Sequence, residues 1–340
     1  MPSTVLIITN DHDAHASAVI IELQKRNIPV FRFHPAEFPD ACSMTLEIRD
    51  GRIDGEIHNA YHRVALSDVC AAWYRRSRNL FADPPSLTSE RLDNYVKAQS
   101  TATLTALCGS LQTLWVSHPY TLRRAEIKAL QLAEASKAGL TVPSTLISND
   151  PVRSAAFADA LGGEPCAIKP LIAVGVTDEH GYRLPLTTTL PAGHSLDSVA
   201  LAPNIFQPYI PKAFELRCVV IGRKIFCAKI NSQASGVTRT DWRGGEREHE
   251  IFALPEHVQV AILRLMDSFG LNFASMDMIV TPAGEFVFLE INPNGQWLWL
   301  EIELGLPLVA SMADLLTTCY SPAEKPGEQV MESQRESVHA

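Results

Sequence analysis

The sequence predicts an α/β protein of two or three domains, and three observations carry that expectation. A chain of 340 residues, 46% of them apolar and 20% charged, is of ordinary globular composition but too long for one hydrophobic core. Thr4 to Thr9 and Pro29 to Phe33 are short buried-type strands around Ala14 to Arg26, which has helical apolar spacing; such a βαβ opening implies a parallel sheet. Near the other end, Met276 to Val280 and Glu285 to Ile291 are apolar, β-branched and aromatic runs joined by Thr281-Pro282-Ala283-Gly284, a β-hairpin pattern.

That hairpin carries the chemistry. If Val280 pairs with Glu285, then Asp277 faces Phe288, and strand alternation puts Asp277, Glu290 and Asn292 on one face. Two carboxylates and an amide carbonyl suit a hard divalent cation, above all Mg²⁺, which takes few protein ligands and completes its shell with water and phosphate. Acidic residues on an outward strand face are ordinarily just solvated. Here Glu290 lies between Leu289 and Ile291, too apolar a setting for a free edge, and Asn292-Pro293-Asn294-Gly295 stops the strand abruptly, leaving Glu290 and Asn292 where sites collect. The metal-site reading is therefore preferred.

The remaining elements follow in order. No G-x-G-x-x-G accompanies the first strand, and Asn10-Asp11-His12 fills its place, so there is no dinucleotide signature. Asp11-His12-Asp13 is read as loop and not as a metal site, because three consecutive side chains cannot converge on one centre. Met44 to Ile48 and Arg52 to His58 form a hairpin around Asp50-Gly51. Val69 to Tyr74 is a strand running into Arg75-Arg76, which is either a solvated rim or a bidentate anion clamp. Helical spacing from Ser89 to Leu107 and a strand from Leu114 to Ser117 close the first domain at His118-Pro119. One helix is expected from Thr121 to Ala138 with Gly139 as its C-cap, then a strand from Thr141 to Leu146, a helix from Val152 to Leu161 and the strand Cys166 to Lys169. Leu171 to Ser195 is long, irregular and weakly strand-like. Strands at 204–209, 215–221 and 224–229, a polar loop at 232–250, a helix from Glu256 to Phe269 and a last helix after Leu306-Pro307 complete the chain, and the polar tail from Ser321 is expected to be disordered.

Composition narrows the function. The net charge of −9, without a basic stripe interleaved with aromatics, argues against nucleic acid and for a small molecule or a peptide of basic character. No apolar run spans a bilayer and no signal peptide is evident, so no membrane partner is expected and the compartment is cytoplasmic. Seven scattered cysteines without CxxC fit reduced thiols. Lys169 ends an apolar strand before a proline, so its stem is buried and its ammonium is aimed at an anion; Lys128, read alone, is a solvated helix lysine. Phe206 to Ile210 is an extended connector able to offer backbone groups to a planar heterocycle, with Tyr209 or Ile210 as donor because Pro208 has none.

Lys128, Lys169, the connector, Glu215, Asp277, Glu290 and Asn292, in that order, resemble the ATP-grasp fold. A narrower resemblance covers nearly the whole chain except the tail. Ala72-Trp73-Tyr74-Arg75-Arg76, Asp241-Trp242-Arg243 and the run from Glu290 to Leu298 resemble the ATP-grasp maturases of the microviridin, or graspetide, type, which crosslink ribosomally made precursor peptides. The resemblance implies an N-terminal α/β pre-ATP-grasp domain at 1–118, a central ATP-grasp lobe at 119–205 and a C-terminal lobe at 206–320, with the nucleotide cleft between the lobes and the tail at 321–340. It implies that Lys128 and Lys169 bind ATP phosphates, that Gln207, Tyr209 and Ile210 hold adenine, that Glu215 bonds the ribose and that Asp277, Glu290 and Asn292 hold Mg²⁺. An acidic residue commonly follows the first connector position in this family, whereas this chain has Gln207-Pro208. The implied reaction activates Asp or Glu side chains of a precursor peptide as acyl phosphates and closes ω-ester or ω-amide rings with Ser, Thr or Lys, with Lys169 and an arginine offsetting the charge. Arg217, on the face of Glu215, is the first candidate for that arginine, and Arg243 or Arg239 the second. The alternative is a RimK-like ligase adding a free amino acid to a peptide or protein carboxyl; a non-catalytic ATP-binding partner is disfavoured by the complete metal set. The partner is a leader-plus-core precursor peptide, with Leu171 to Ser195 as a candidate leader-docking region, and the family resemblance suggests a homodimer.

Overall fold

The structure, a computed structural model, describes residues 3–75, 90–172, 175–178, 181–183, 187–190, 195–231 and 248–320. Arg76, Arg239, the 241–243 motif and the tail expected to be disordered lie outside the described residues.

The N-terminal part runs β1 (Thr4–Ile8), α1 (Ala14–Lys25), β2 (Val30–Phe33), β3 (Cys42–Arg49), β4 (Arg52–Asn59), β5 (Arg63–Ala65), β6 (Val69–Tyr74), α2 (Glu90–Ser110) and β7 (Leu114–Val116). A parallel sheet of order β2-β1-β6-β7 forms its centre, and β3, β4 and β5 make a separate antiparallel sheet. Every residue of β6 is buried, as an apolar strand inside a parallel sheet requires.

Next come α3 (Pro119–Ala125), α4 (Lys128–Ala138), β8 (Leu146–Ser148), α5 (Pro151–Asp159), β9 (Cys166–Lys169), β10 (Val176–Asp178), β11 (Gly181–Arg183), β12 (Thr188–Leu190) and β13 (Asn204–Pro208). Here β12-β9-β13-β8 form one sheet and β10 and β11 a small hairpin. The helix expected at 121–138 is two helices. The side chain of Gln131 enters the break: Nε2 donates to Ala125 O at the end of α3 (2.7 Å) and to Ile291 O (2.9 Å), and Oε1 accepts from Ile291 N (3.2 Å). The strand expected from 141 forms only at Leu146–Ser148, and Thr141 instead makes an isolated bridge to Val287.

The last part contains β14 (Phe214–Ile221), β15 (Lys224–Ile230), β16 (His249–Ile251), α6 (Glu256–Phe269), β17 (Phe273–Val280), β18 (Phe286–Asn292), α7 (Leu298–Leu304) and α8 (Leu308–Leu316). The sheet order is β16-β15-β14-β17-β18. One face carries Leu216, Val220, Met276, Met278, Phe288 and Ile291 into a core shared with α4 and α6. On α6, Val258, Ala261, Ile262, Leu265, Met266 and Phe269 recur at helical spacing and are all buried; each large side chain so buried contributes about 1.5–3 kcal/mol. The other face, near Val219, Ile221 and Phe273, packs on α7 and α8 in a core that also holds Ile7, Val19 and Trp73 of the N-terminal part. Helix α7, not anticipated in the sequence, follows directly on the Asn292–Gln296 turn.

The chain just before β8 and the chain just after β13 are both bonded to the β17–β18 hairpin. Phe288 N donates to Thr141 O (2.8 Å) and Ala213 N to Val280 O (2.7 Å). Thr141, together with Gln131 bonding both backbone groups of Ile291, takes up backbone groups on the outer side of the edge strand β18.

Candidate active site

Phe288 and Ile291 both require the core, and they are three residues apart, a spacing that a period of two cannot satisfy. The strand resolves this with a β-bulge. Val280 pairs with Phe286 and Met278 with Phe288; the register then shifts and Asp277 stands opposite Glu290, with Ser275 opposite Asn292. The register starting at Val280–Glu285 is therefore corrected by one residue at the turn and by Leu289 in the bulge, and Phe288 leaves the face of Asp277. Asp277, Glu290 and Asn292 share the face that the sequence indicated, by this different route.

Cations surround these oxygens. Lys128, at the first position of α4, donates Nζ to Glu290 Oε2 (2.5 Å). Arg217, directly across the ladder from Asp277 and 6% exposed, donates Nη1 to Asp277 Oδ1 (2.8 Å) and Nη2 to Gln296 O (3.0 Å). Asn292 Nδ2 donates to Glu290 Oε1 (3.0 Å), which leaves the amide oxygen to serve as a donor toward a cation. Burial pushes the Lys169 ammonium down to about 8 against the pull of Glu290, with Lys128 and Lys212 adding repulsion and Glu215 attraction. Lys128, Lys169, Lys212, Glu215 and Glu290 thus form one electrostatic group. Lys212, which the sequence reading missed, is as buried as Glu215 and donates to its Oε1 (2.6 Å). A lysine three residues before Glu215 was its only sequence signal.

At the connector, Gln207 is buried with Nε2 on Thr145 Oγ1 (2.9 Å), and Tyr209 N donates to Pro165 O (2.8 Å). With Tyr209 N–H so engaged, Ile210 N–H is the better candidate donor to a heterocycle.

Behind the hairpin, Asn292-Pro293-Asn294-Gly295-Gln296-Trp297 is fastened to the N-terminal part. Arg75 is fully buried: its Nε lies 2.8 Å from Asp13 Oδ2 and its Nη1 donates to Gly295 O (3.3 Å). It is neither a solvated rim nor an open anion clamp. Asp13 caps α1 through the N–H groups of His15 and Ala16 and accepts from Thr9 Oγ1 (3.0 Å). Burial would raise its pKa, but His15, Arg75 and these hydrogen bonds hold it well below the usual carboxylate range. His15 Nε2 accepts from Trp297 N (3.0 Å). Gly295 is obligatory here, since a Cβ would lie 2.6 Å from Ser275 Cβ and 2.9 Å from Arg217 Nη2. The Asp11-His12-Asp13 triplet diverges as expected for a loop: Asp13 turns inward, while Asp11 meets His34 Nδ1 (3.0 Å) near Glu37 at the exposed end of β1 and β2. Arg243, the alternative catalytic arginine, lies outside the described residues.

Two carboxylates, an amide oxygen and three lysines thus come together, a donor set whose chemistry could hold a hard cation and a polyphosphate, as an ATP-dependent carboxylate ligase requires. The chain belongs to the RimK-like ATP-grasp family, whose domain matches residues 124–316, and the MvdD pre-ATP grasp domain matches residues 4–123. ATP-grasp ligases form carboxylate–amine or ester bonds at the expense of ATP and use Mg²⁺. Among solved structures, the chain is similar to a RiPP-associated ATP-grasp ligase of Chryseobacterium gregarium in complex with ADP and a leader and core peptide (TM-score 0.86, 26% identity, covering 92% of this chain and 96% of that one). It is also similar to the macrocyclase MdnC of Microcystis aeruginosa bound with precursor peptide MdnA (TM-score 0.81, 29% identity, covering 92% and 99%). Among curated relatives, the "Probable alpha-L-glutamate ligase 2" of Shewanella denitrificans is 31% identical over 179 residues, 51% of this chain. The chain spans 56% of the length of that relative.

Proposed function

We propose that this protein is a peptide macrocyclase: an ATP-dependent ligase that activates Asp or Glu side chains of a ribosomally made precursor peptide and joins them to Ser or Thr hydroxyls or Lys amines. The observation that carries this reading is the union of Asp277, Glu290 and Asn292 on one sheet face with Lys128, Lys169 and Arg217 around them. Likeness to peptide-bound ligases over 92% of the chain, N-terminal part included, supports a peptide substrate.

In this reading Asp277, Glu290 and Asn292 hold Mg²⁺, which when bound neutralises charge on the phosphates. Lys128 and Lys169 bind phosphate oxygens, the 207–210 connector receives adenine with Ile210 N–H as donor, and Glu215, oriented by Lys212, bonds the ribose. Arg217 keeps Asp277 in place and would draw in the substrate carboxylate; Arg243 is the alternative for that second task. The carboxylate oxygen attacks the γ-phosphorus as the bond to the bridging oxygen of ADP breaks. The hydroxyl or amine then attacks the acyl carbon, the bond to phosphate breaks and the departing phosphate takes up the proton, while exclusion of water directs the acyl group to ring closure.

The curated glutamate ligases favour a second reading, addition of a free amino acid to a peptide or protein carboxyl. Mass spectrometry after incubation with ATP, Mg²⁺ and a candidate precursor separates the two. One water lost per crosslink, with ADP release dependent on the peptide, supports macrocyclisation; gain of an amino-acid residue overturns it.

A further inference from the structure

We infer that Arg75, held by Asp13, is a positioning residue through which the N-terminal part sets the geometry of the metal-ligand turn. The inference rests on the metal-site reading above and assigns a task to a domain that contributes none of the three candidate metal ligands.

Three successive residues of the turn are each held by a different side chain. Gly295 O accepts from Arg75 Nη1, Gln296 O accepts from Arg217 Nη2, and Trp297 N donates to His15 Nε2. Gly295 N closes the turn on Asn292 O (3.0 Å), so a shift at Gly295 is transmitted to the residue bearing the amide ligand. Asn292 in turn bonds Glu290. Two of the three holds come from the N-terminal part, and both lead to Asp13, which meets Arg75 Nε at 2.8 Å and His15 Nδ1 at 3.5 Å. A buried ion pair adds little net stability over an apolar replacement. The guanidinium nevertheless meets two groups at once, the Asp13 carboxylate as an ion pair at 2.8 Å and the carbonyl of Gly295 as a hydrogen bond, so one rigid cation sets the place of the turn against the start of α1. The pair is built for orientation more than for adhesion.

The test compares full-length wild type with Asp13→Asn/Arg75→Met, which removes both charges and leaves neither buried alone, and with Arg75→Lys, which keeps the charge but loses the fork. ADP affinity is measured by calorimetry with and without Mg²⁺. The expected result is at least a tenfold loss of the Mg²⁺-dependent gain in ADP affinity in both variants, with Mg²⁺-free affinity within twofold of wild type. A purely structural fastener would alter thermal stability or both affinities alike. Either variant folded and with an undiminished Mg²⁺-dependent gain overturns the inference. Hydrogen exchange on the wild type needs no variant: Mg²⁺·ADP is expected to slow exchange at residues 13–16, and no change there overturns it as well. Glu290→Gln is the control. If it too keeps the full Mg²⁺-dependent gain, the metal-site reading itself falls, and not merely the role of Arg75.

Discussion

In the proposed site, single residues would decide whether a triphosphate is held. Asp277→Asn or Glu290→Gln should each lower kcat/KM for peptide-dependent ADP release by about a hundredfold, about 2.7 kcal/mol of transition-state stabilisation. Activity within threefold of wild type would remove those carboxylates from the site. Lys169 gives a pH signature. Burial brings its folded pKa down to about 8 from the ordinary lysine value of 10.5, so the unfolded chain binds more protons between those values. The penalty of burying the charge is therefore full below pH 8 and is relieved as pH rises toward 10.5. Ligand binding runs the other way. A bound polyphosphate favours the ammonium, so ADP should take up a proton near pH 8 and bind more weakly above it. Calorimetry in buffers of different ionisation enthalpy should show that uptake in wild type and its loss in Lys169→Gln. Gly295→Ala should cost about 1–3 kcal/mol by overpacking, read from thermal unfolding, because Ser275 and Arg217 close the space.

At the scale of the element, the strand reading of β17 and β18 reached the right face but not the register. Three inward-facing demands, from Met278, Phe288 and Ile291, cannot be met by an even ladder, and a bulge is a tertiary solution to that conflict. The helix at 121–138 was missed as a pair because its periodicity continues through Glu126-Ile127. What divides it is Gln131, whose partner on β18 is 160 residues away. Gln131 bonds both the N–H and the C=O of Ile291, as a further strand would. Gln131→Leu orphans these groups and should destabilise the protein by about 3 kcal/mol, at about 1–3 kcal/mol per buried group left unpaired; a melting temperature within a degree of wild type would refute that accounting.

Across the whole molecule, what was legible in sequence was what local pattern dictates: the βαβ opening, the hairpin, α6 and the spacing of lysines and carboxylates. Arg75 was ambiguous because its fate depends on Asp13 and on a turn 220 residues downstream. Lys212 was overlooked for the same reason, since burial beside Glu215 is not a local property. The β10–β11 hairpin, from the irregular 171–195 segment, is the proposed leader-docking element. Deleting residues 176–183 should abolish precursor affinity while leaving ADP affinity within about twofold, a separation expected if the hairpin binds the leader and takes no part in holding the nucleotide. Unchanged peptide affinity would end that assignment.

Thr141, ahead of β8, and Ala213, after β13, flank the β12-β9-β13-β8 sheet in sequence and are both hydrogen-bonded to one hairpin, at Phe288 and Val280. A body hung from two pins on a common frame can swing about the line through them, but sliding or twisting would shear a pin. In the proposed function, opening for nucleotide entry would then be a swing through a single angle, like a door on its jamb. The jamb is the hairpin that bears the candidate metal ligands, so each such swing would carry Lys169 along one arc toward Glu290.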